Sequence, residues 1–147
     1  MVTIKEIEDL LVARIKANLP YLHRVDSFET RFGLEIDELL VDAPAVLCSM
    51  EATARKEAWE SFERMQVEHR FILAVLARDM RGPDEAKTDE AVGAYRILND
   101  LRTHLQFHQL STSLSPLEFQ GETFVAASQI GVIYRAVYTT CEEEVKS

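Results

Sequence analysis

A chain of 147 residues, 47% apolar and 28% charged, has the profile of one folded soluble domain and not of a disordered segment. Its 25 acidic against 16 basic side chains give a formal net charge of -9, which weighs against a grip on nucleic acid or on an anionic membrane. The longest apolar run, Phe71 to Ala77, is far short of the roughly 18 residues of a membrane span, and Lys5, Glu6, Glu8 and Asp9 argue against a secretory signal.

The first element is a helix. Thr3 followed by Glu6 is a capping box, and Ile4, Ile7, Leu11, Ile15 and Leu19 recur at helical spacing behind it. Asn18-Leu19-Pro20 closes the helix, because the residue before Pro is pushed out of the helical region. Leu22 to Phe28 carries a weak strand pattern. Phe32 to Val41, with Leu34, Leu39 and Leu40 among Glu35, Asp37 and Glu38, suits a short helix that Pro44 stops. Ala45 to Met50 is an apolar run of strand length. The charged stretch Ala52 to Met65 reads as a long excursion between two strands, with an amphipathic helix as the alternative.

Val67 to Arg78 alternates, and both of its faces turn apolar in the middle, as in a central strand covered on both sides; its Ala and Leu content also permits a helix. Arg81-Gly82-Pro83-Asp84 is a turn by chemistry. Thr88 or Asp89 then caps a second long helix whose stripe is Ala91, Ala94, Tyr95, Leu98, Leu101 and Leu105, with Gly93 inside it at a cost of about 1 kcal/mol. Leu117-Glu118-Phe119 and Thr123-Phe124-Val125 are extended segments broken by Gly121. Ile130, Val132, Tyr134, Ala136 and Tyr138 alternate as the clearest strand, and Glu142-Glu143-Glu144 reads as a solvated tail. The fold expected for residues 1–147 is a single α+β domain. A mostly antiparallel sheet of four to five strands is covered by two main amphipathic helices.

Catalytic signatures are missing from the chain: it has no G-x-S-x-G elbow, no phosphate-binding loop and no G-x-G-x-x-G. His104 and His108 share the four-residue spacing with which some zinc sites begin. Leu105 stands where H-E-x-x-H needs its Glu, and imidazoles near a helix C-terminus are more simply explained by its free carbonyls. The widely separated Cys48 and Cys141 suit reduced thiols in a cytoplasm. Cys48 reads as a small buried hydrophobe, while Cys141 lies at a strand end where it could be exposed. The carboxylate pairs Glu35/Asp37 and Glu142/Glu143 read as solvated faces. No catalytic, cofactor-binding or metal-ligating residue is assigned, and no enzyme is expected. Trp59 and Phe62, set among Arg55, Lys56, Glu57, Glu60, Glu63 and Arg64, either pack on the core or anchor a partner.

Several short landmarks occur in order along the chain: Ile7-Glu8-Asp9-Leu10-Leu11 with Arg14, Pro44-Ala45-Val46-Leu47, Arg81-Gly82, Gly93-Ala94-Tyr95-Arg96 with Asp100-Leu101-Arg102, and Pro116-Leu117. Together they resemble the Mu-like bacteriophage tail terminator, or tail completion, family over nearly the whole length. Gln106-Phe107-His108-Gln109 departs from the pattern, since a Gly tends to follow the second long helix in relatives. The resemblance implies a structural virion subunit that forms a homo-oligomeric ring, expected to be a hexamer, on the end of a contractile tail. It would contact tube and sheath proteins and the head–tail connector. Assembly would take place in the bacterial host cytoplasm, without cofactors, membrane contact or specific nucleic-acid binding. A neck or head–tail adaptor protein is the alternative, and a small metal-dependent hydrolase using His104 and His108 is a third. For a ring, Arg55, Glu57, Trp59, Phe62, Arg64 and Met65 are the candidate contacts, because a projection between two strands offers charge and apolar anchors to a neighbour.

Overall fold

The computed structural model describes residues 2–27, 36–58, 64–81 and 92–145. Its elements in chain order are α1 (Ile4–Asn18), β1 (Arg24–Ser27), α2 (Ile36–Leu40), β2 (Ala45–Ala58), β3 (Arg64–Ala77), α3 (Ala94–Leu105), β4 (Glu118–Ala127) and β5 (Val132–Val145). They form an α+β fold around one five-stranded sheet of order β1-β2-β3-β5-β4. Every neighbouring pair is antiparallel except β1 and β2, which run parallel with α2 between them in the chain.

Local chemistry sets the ends of α1. The Thr3 hydroxyl accepts from the Glu6 N–H at 3.2 Å, while the Glu6 carboxylate accepts from the Thr3 N–H at 3.1 Å, so each satisfies a donor the helix leaves free. Leu19 is the C-cap, directly before Pro20. The helix buries Ile7, Leu11 and Ile15, whereas Ile4, counted on the same stripe, is exposed in the first turn.

The core lies between the sheet and the pair α1 and α3. Phe71, Leu73 and Val75 of β3 meet Ile7, Leu11 and Ile15 of α1 and Ile97, Leu101 and Leu105 of α3 there. A smaller apolar cluster on the opposite face joins Leu40 of α2 and Ala43 to Leu47, Leu76 and Ile133. Both clusters touch β3, the middle strand of the sheet, which is why its alternating residues are apolar on both sides.

The structure corrects four sequence expectations. β2 runs on to Ala58 and β3 begins at Arg64, so most of the stretch from Ala52 to Met65 is strand, neither an excursion nor a helix. Gly121 does not break β4, which is continuous across it and absorbs the irregularity as a shift of register between Phe119 and Gly121. α3 starts at Ala94 with Gly93 as its N-cap, so Gly93 lies outside the helix interior. Tyr95 is exposed, and Ile97 takes its place on the buried face. Thr88, Asp89 and Ala91 lie outside the described residues. The fourth correction is the largest: β5 continues to Val145 and buries Glu142 to 3% exposure, so residues 142–144 are not a solvated tail, and Cys141 is buried too.

One close approach gives a direct test of this packing. Gly131 sits where β5 begins beside the end of β3, and a Cβ there would lie 2.3 Å from the Ala77 carbonyl oxygen and 3.1 Å from Leu40 Cδ2. Backbone cannot yield as a flexible side chain does. Gly131→Ala should therefore cost about 1–3 kcal/mol in urea denaturation, as overpacking does, and an unchanged midpoint would contradict the register of β3 on β5.

Candidate functional site: a three-stranded arm and the polar ties at its root

Past the middle of the sheet the outer strands drop out. Among the described residues β1 reaches Ser27 opposite Cys48 and β4 begins opposite Thr139, so of the five strands only β2, β3 and β5 continue, with Leu114 bridging Glu142 beside β5. Their far halves, roughly residues 51–58, 64–69 and 140–145, make a three-stranded arm of about 25 Å at the usual rise per residue. The segment Glu51 to Ala54 is exposed at four successive residues, so both faces of β2 meet solvent there. Among the described residues no strand lies beside the outer edge of β2 beyond Cys48. Such an edge presents unpaired backbone donors and acceptors.

Four of the six candidate contact residues fall on this arm. Arg55 and Glu57 lie on β2 opposite Val67 and Gln66, with a register irregularity between them. Arg64 and Met65 lie on β3 opposite Val145 and Glu144 of β5. Trp59 and Phe62 lie outside the described residues.

The root of the arm carries a polar relay that the sequence reading missed. The Thr53 hydroxyl lies 3.0 Å from His69 Nδ1, and His69 Nε2 lies 3.4 Å from Glu142 Oε2. The other carboxylate oxygen of Glu142 accepts from the Val2 backbone N–H at 2.9 Å. With the Nε2 proton directed at the carboxylate, Nδ1 accepts from the Thr53 hydroxyl, and both ring nitrogens of His69 and both carboxylate oxygens of Glu142 have a partner. Thr53, His69 and Glu142 belong to β2, β3 and β5, and Val2 leads into α1, so the relay ties the three arm strands to the helical layer. One sequence signal for it existed. His69 interrupts the apolar stripe of Val67, Phe71, Leu73 and Val75, and a buried imidazole needs a partner.

The opposite face has its own tie. Glu51 accepts from Arg70 Nε at 2.9 Å and from an Arg135 terminal nitrogen at 3.0 Å, again joining β2, β3 and β5. These side chains are about one-third to two-fifths exposed, so the pairs set geometry more than stability. The arm is thus stapled at its base on both faces.

The histidine pair does not form the helix-face site its spacing allows. α3 ends at Leu105, and Phe107 adopts φ 66°, which turns the chain before His108. The His104 carbonyl accepts from Arg14 Nε at 3.1 Å, and partial burial together with the Arg14 charge lowers the pKa of His108. Among the described residues no three His, Cys, Asp or Glu side chains converge as a metal site. Cys48 is fully buried, and that burial, with Glu8 and Asp26 nearby, drives its pKa up, so its thiol stays protonated. Burial and a 2.5 Å bond to Asp100 raise the pKa of the Tyr21 hydroxyl in the same direction.

Two comparisons bear on this architecture. No curated protein matches the chain. The family model described as Bacteriophage Mu, Gp37 matches residues 3–139.

Proposed function

From the premise that the chain belongs to the bacteriophage Mu Gp37 family, which its match over residues 3–139 shows, we propose that it is a structural virion protein. It caps the tail tube as a ring, expected to be of six copies, ends tail polymerisation and forms the surface on which the head docks. The observation that carries this reading is the arm. Three strands continue beyond the described ends of β1 and β4, with no strand beside the outer β2 edge past Cys48 among the described residues, and rings close through a projection on one subunit that meets a different surface on the next. Tube and sheath proteins and the head connector are the partners this role requires.

An amber mutation in the gene supplies the test. Loss of a terminator leaves overlong or headless tails in negative-stain images. Loss of a neck adaptor leaves tails of normal length and heads that leak DNA, and that result would overturn the terminator reading.

The charge balance carries a second expected result. Copies at -9 each, ringed around a channel that DNA crosses on ejection, repel phosphate. The purified protein should therefore shift no DNA in a gel at physiological salt. A salt-dependent shift at micromolar protein would contradict this lining.

A further inference from the structure

Phe107 combines two features that a stable monomer has no use for. It is 76% exposed, and it holds φ 66°, a left-handed conformation that is disfavoured for residues bearing a Cβ. The backbone around it is firmly held: its N–H donates to the Leu117 carbonyl at 2.8 Å, and the Leu117 N–H donates to the His108 carbonyl at 2.9 Å. This is the position just past the C-cap Gln106, where Gly relieves the strain that closing a helix imposes. A large apolar side chain is strained there and gains little burial from its own chain.

At the other end of α3, about 18 Å away along the helix axis, lies an aromatic patch. Tyr95 and Phe124, 41% and 47% exposed, each pack edge-on against Tyr134 at ring separations of 6.1 and 5.6 Å, and Met80 adjoins Tyr95. Aromatic and Met side chains gathered this way are typical of protein contact surfaces. An aromatic knob at one end of a helix and an aromatic seat at the other are the two halves of a heterologous contact, which repeats from copy to copy.

We propose that Phe107 of one copy seats in the Met80, Tyr95, Phe124 and Tyr134 patch of a second copy and joins copies head to tail. This rests on the ring reading above and names one of its contacts.

Sedimentation velocity of the purified full chain, up to about 500 µM, tests it. The parent is expected to associate as its concentration rises. Phe107→Gly should melt at or above the parent temperature, because it relieves the left-handed strain, yet associate at least about 30-fold more weakly. Tyr95→Lys should also be monomeric; if it melts early, Phe124→Lys replaces it. An equimolar mixture of the knob variant and the seat variant should form a 1:1 heterodimer that grows no further, since it retains one intact contact. A parent that stays monomeric, a Phe107→Gly chain that associates like the parent, or a mixture that stays monomeric each overturns the proposal. Tail length in the amber phage is a separate readout. Normal tails together with association through Phe107 would sink the terminator reading and leave the contact standing.

Discussion

Glu142→Ala should destabilise the folded chain by about 3 kcal/mol or more in urea denaturation. The substitution removes the acceptor of two groups at once: the Val2 N–H at 2.9 Å and the His69 ring at 3.4 Å. His69 and Glu142 are only 5% and 3% exposed, so water cannot replace the lost carboxylate without opening the root of the arm. Glu142→Gln keeps the volume and an acceptor, and should cost clearly less. Replacing both partners, as His69→Leu with Glu142→Leu, should cost less than the two single changes summed, because neither is left behind unsatisfied. A Glu142→Ala protein within about 0.5 kcal/mol of the parent would show that the relay does not hold the arm to the body.

Phe71→Ala should cost about 3–5 kcal/mol, the range for emptying a large side chain from a packed core. Phe71 is fully buried in the middle strand, between Met50 of β2 and Tyr138 of β5, over the helices α1 and α3. Strands paired on both sides cannot move inward to fill the gap as a loop would. For a chain of this length such a loss lowers the melting temperature by about 10 °C. Phe71→Leu should recover a good part of it, and a Phe71→Ala protein that melts with the parent would contradict the central placement of β3.

These two sites differ in how much of them the sequence by itself determined. Phe71 was legible as core because β3 alternates with apolar residues on both faces, a pattern that only a covered strand requires. The same is true of α1, where the Thr3–Glu6 box and Pro20 mark both ends through interactions within a few residues. The order of helices and strands followed from such short-range signals, and so did the α+β class. Glu142 was not legible: three successive glutamates carry the local signature of a solvated tail, and only the pairing of β5 along β3 takes one of them inside. Residues 51–58 were missed for the same reason. Their own composition favours no strand, and they are extended because β3 offers them a ladder of backbone partners. Phe107 and His108 were placed by the closing of α3 against Leu117, a contact ten residues away that overrides the four-residue spacing of two histidines. Periodicity and caps act within a few residues, so the sequence alone determined the order of the elements and most of their core faces. Burial of charge and extension of strands depend on which distant segments meet, so the tertiary structure alone decided the arm and the relay at its root.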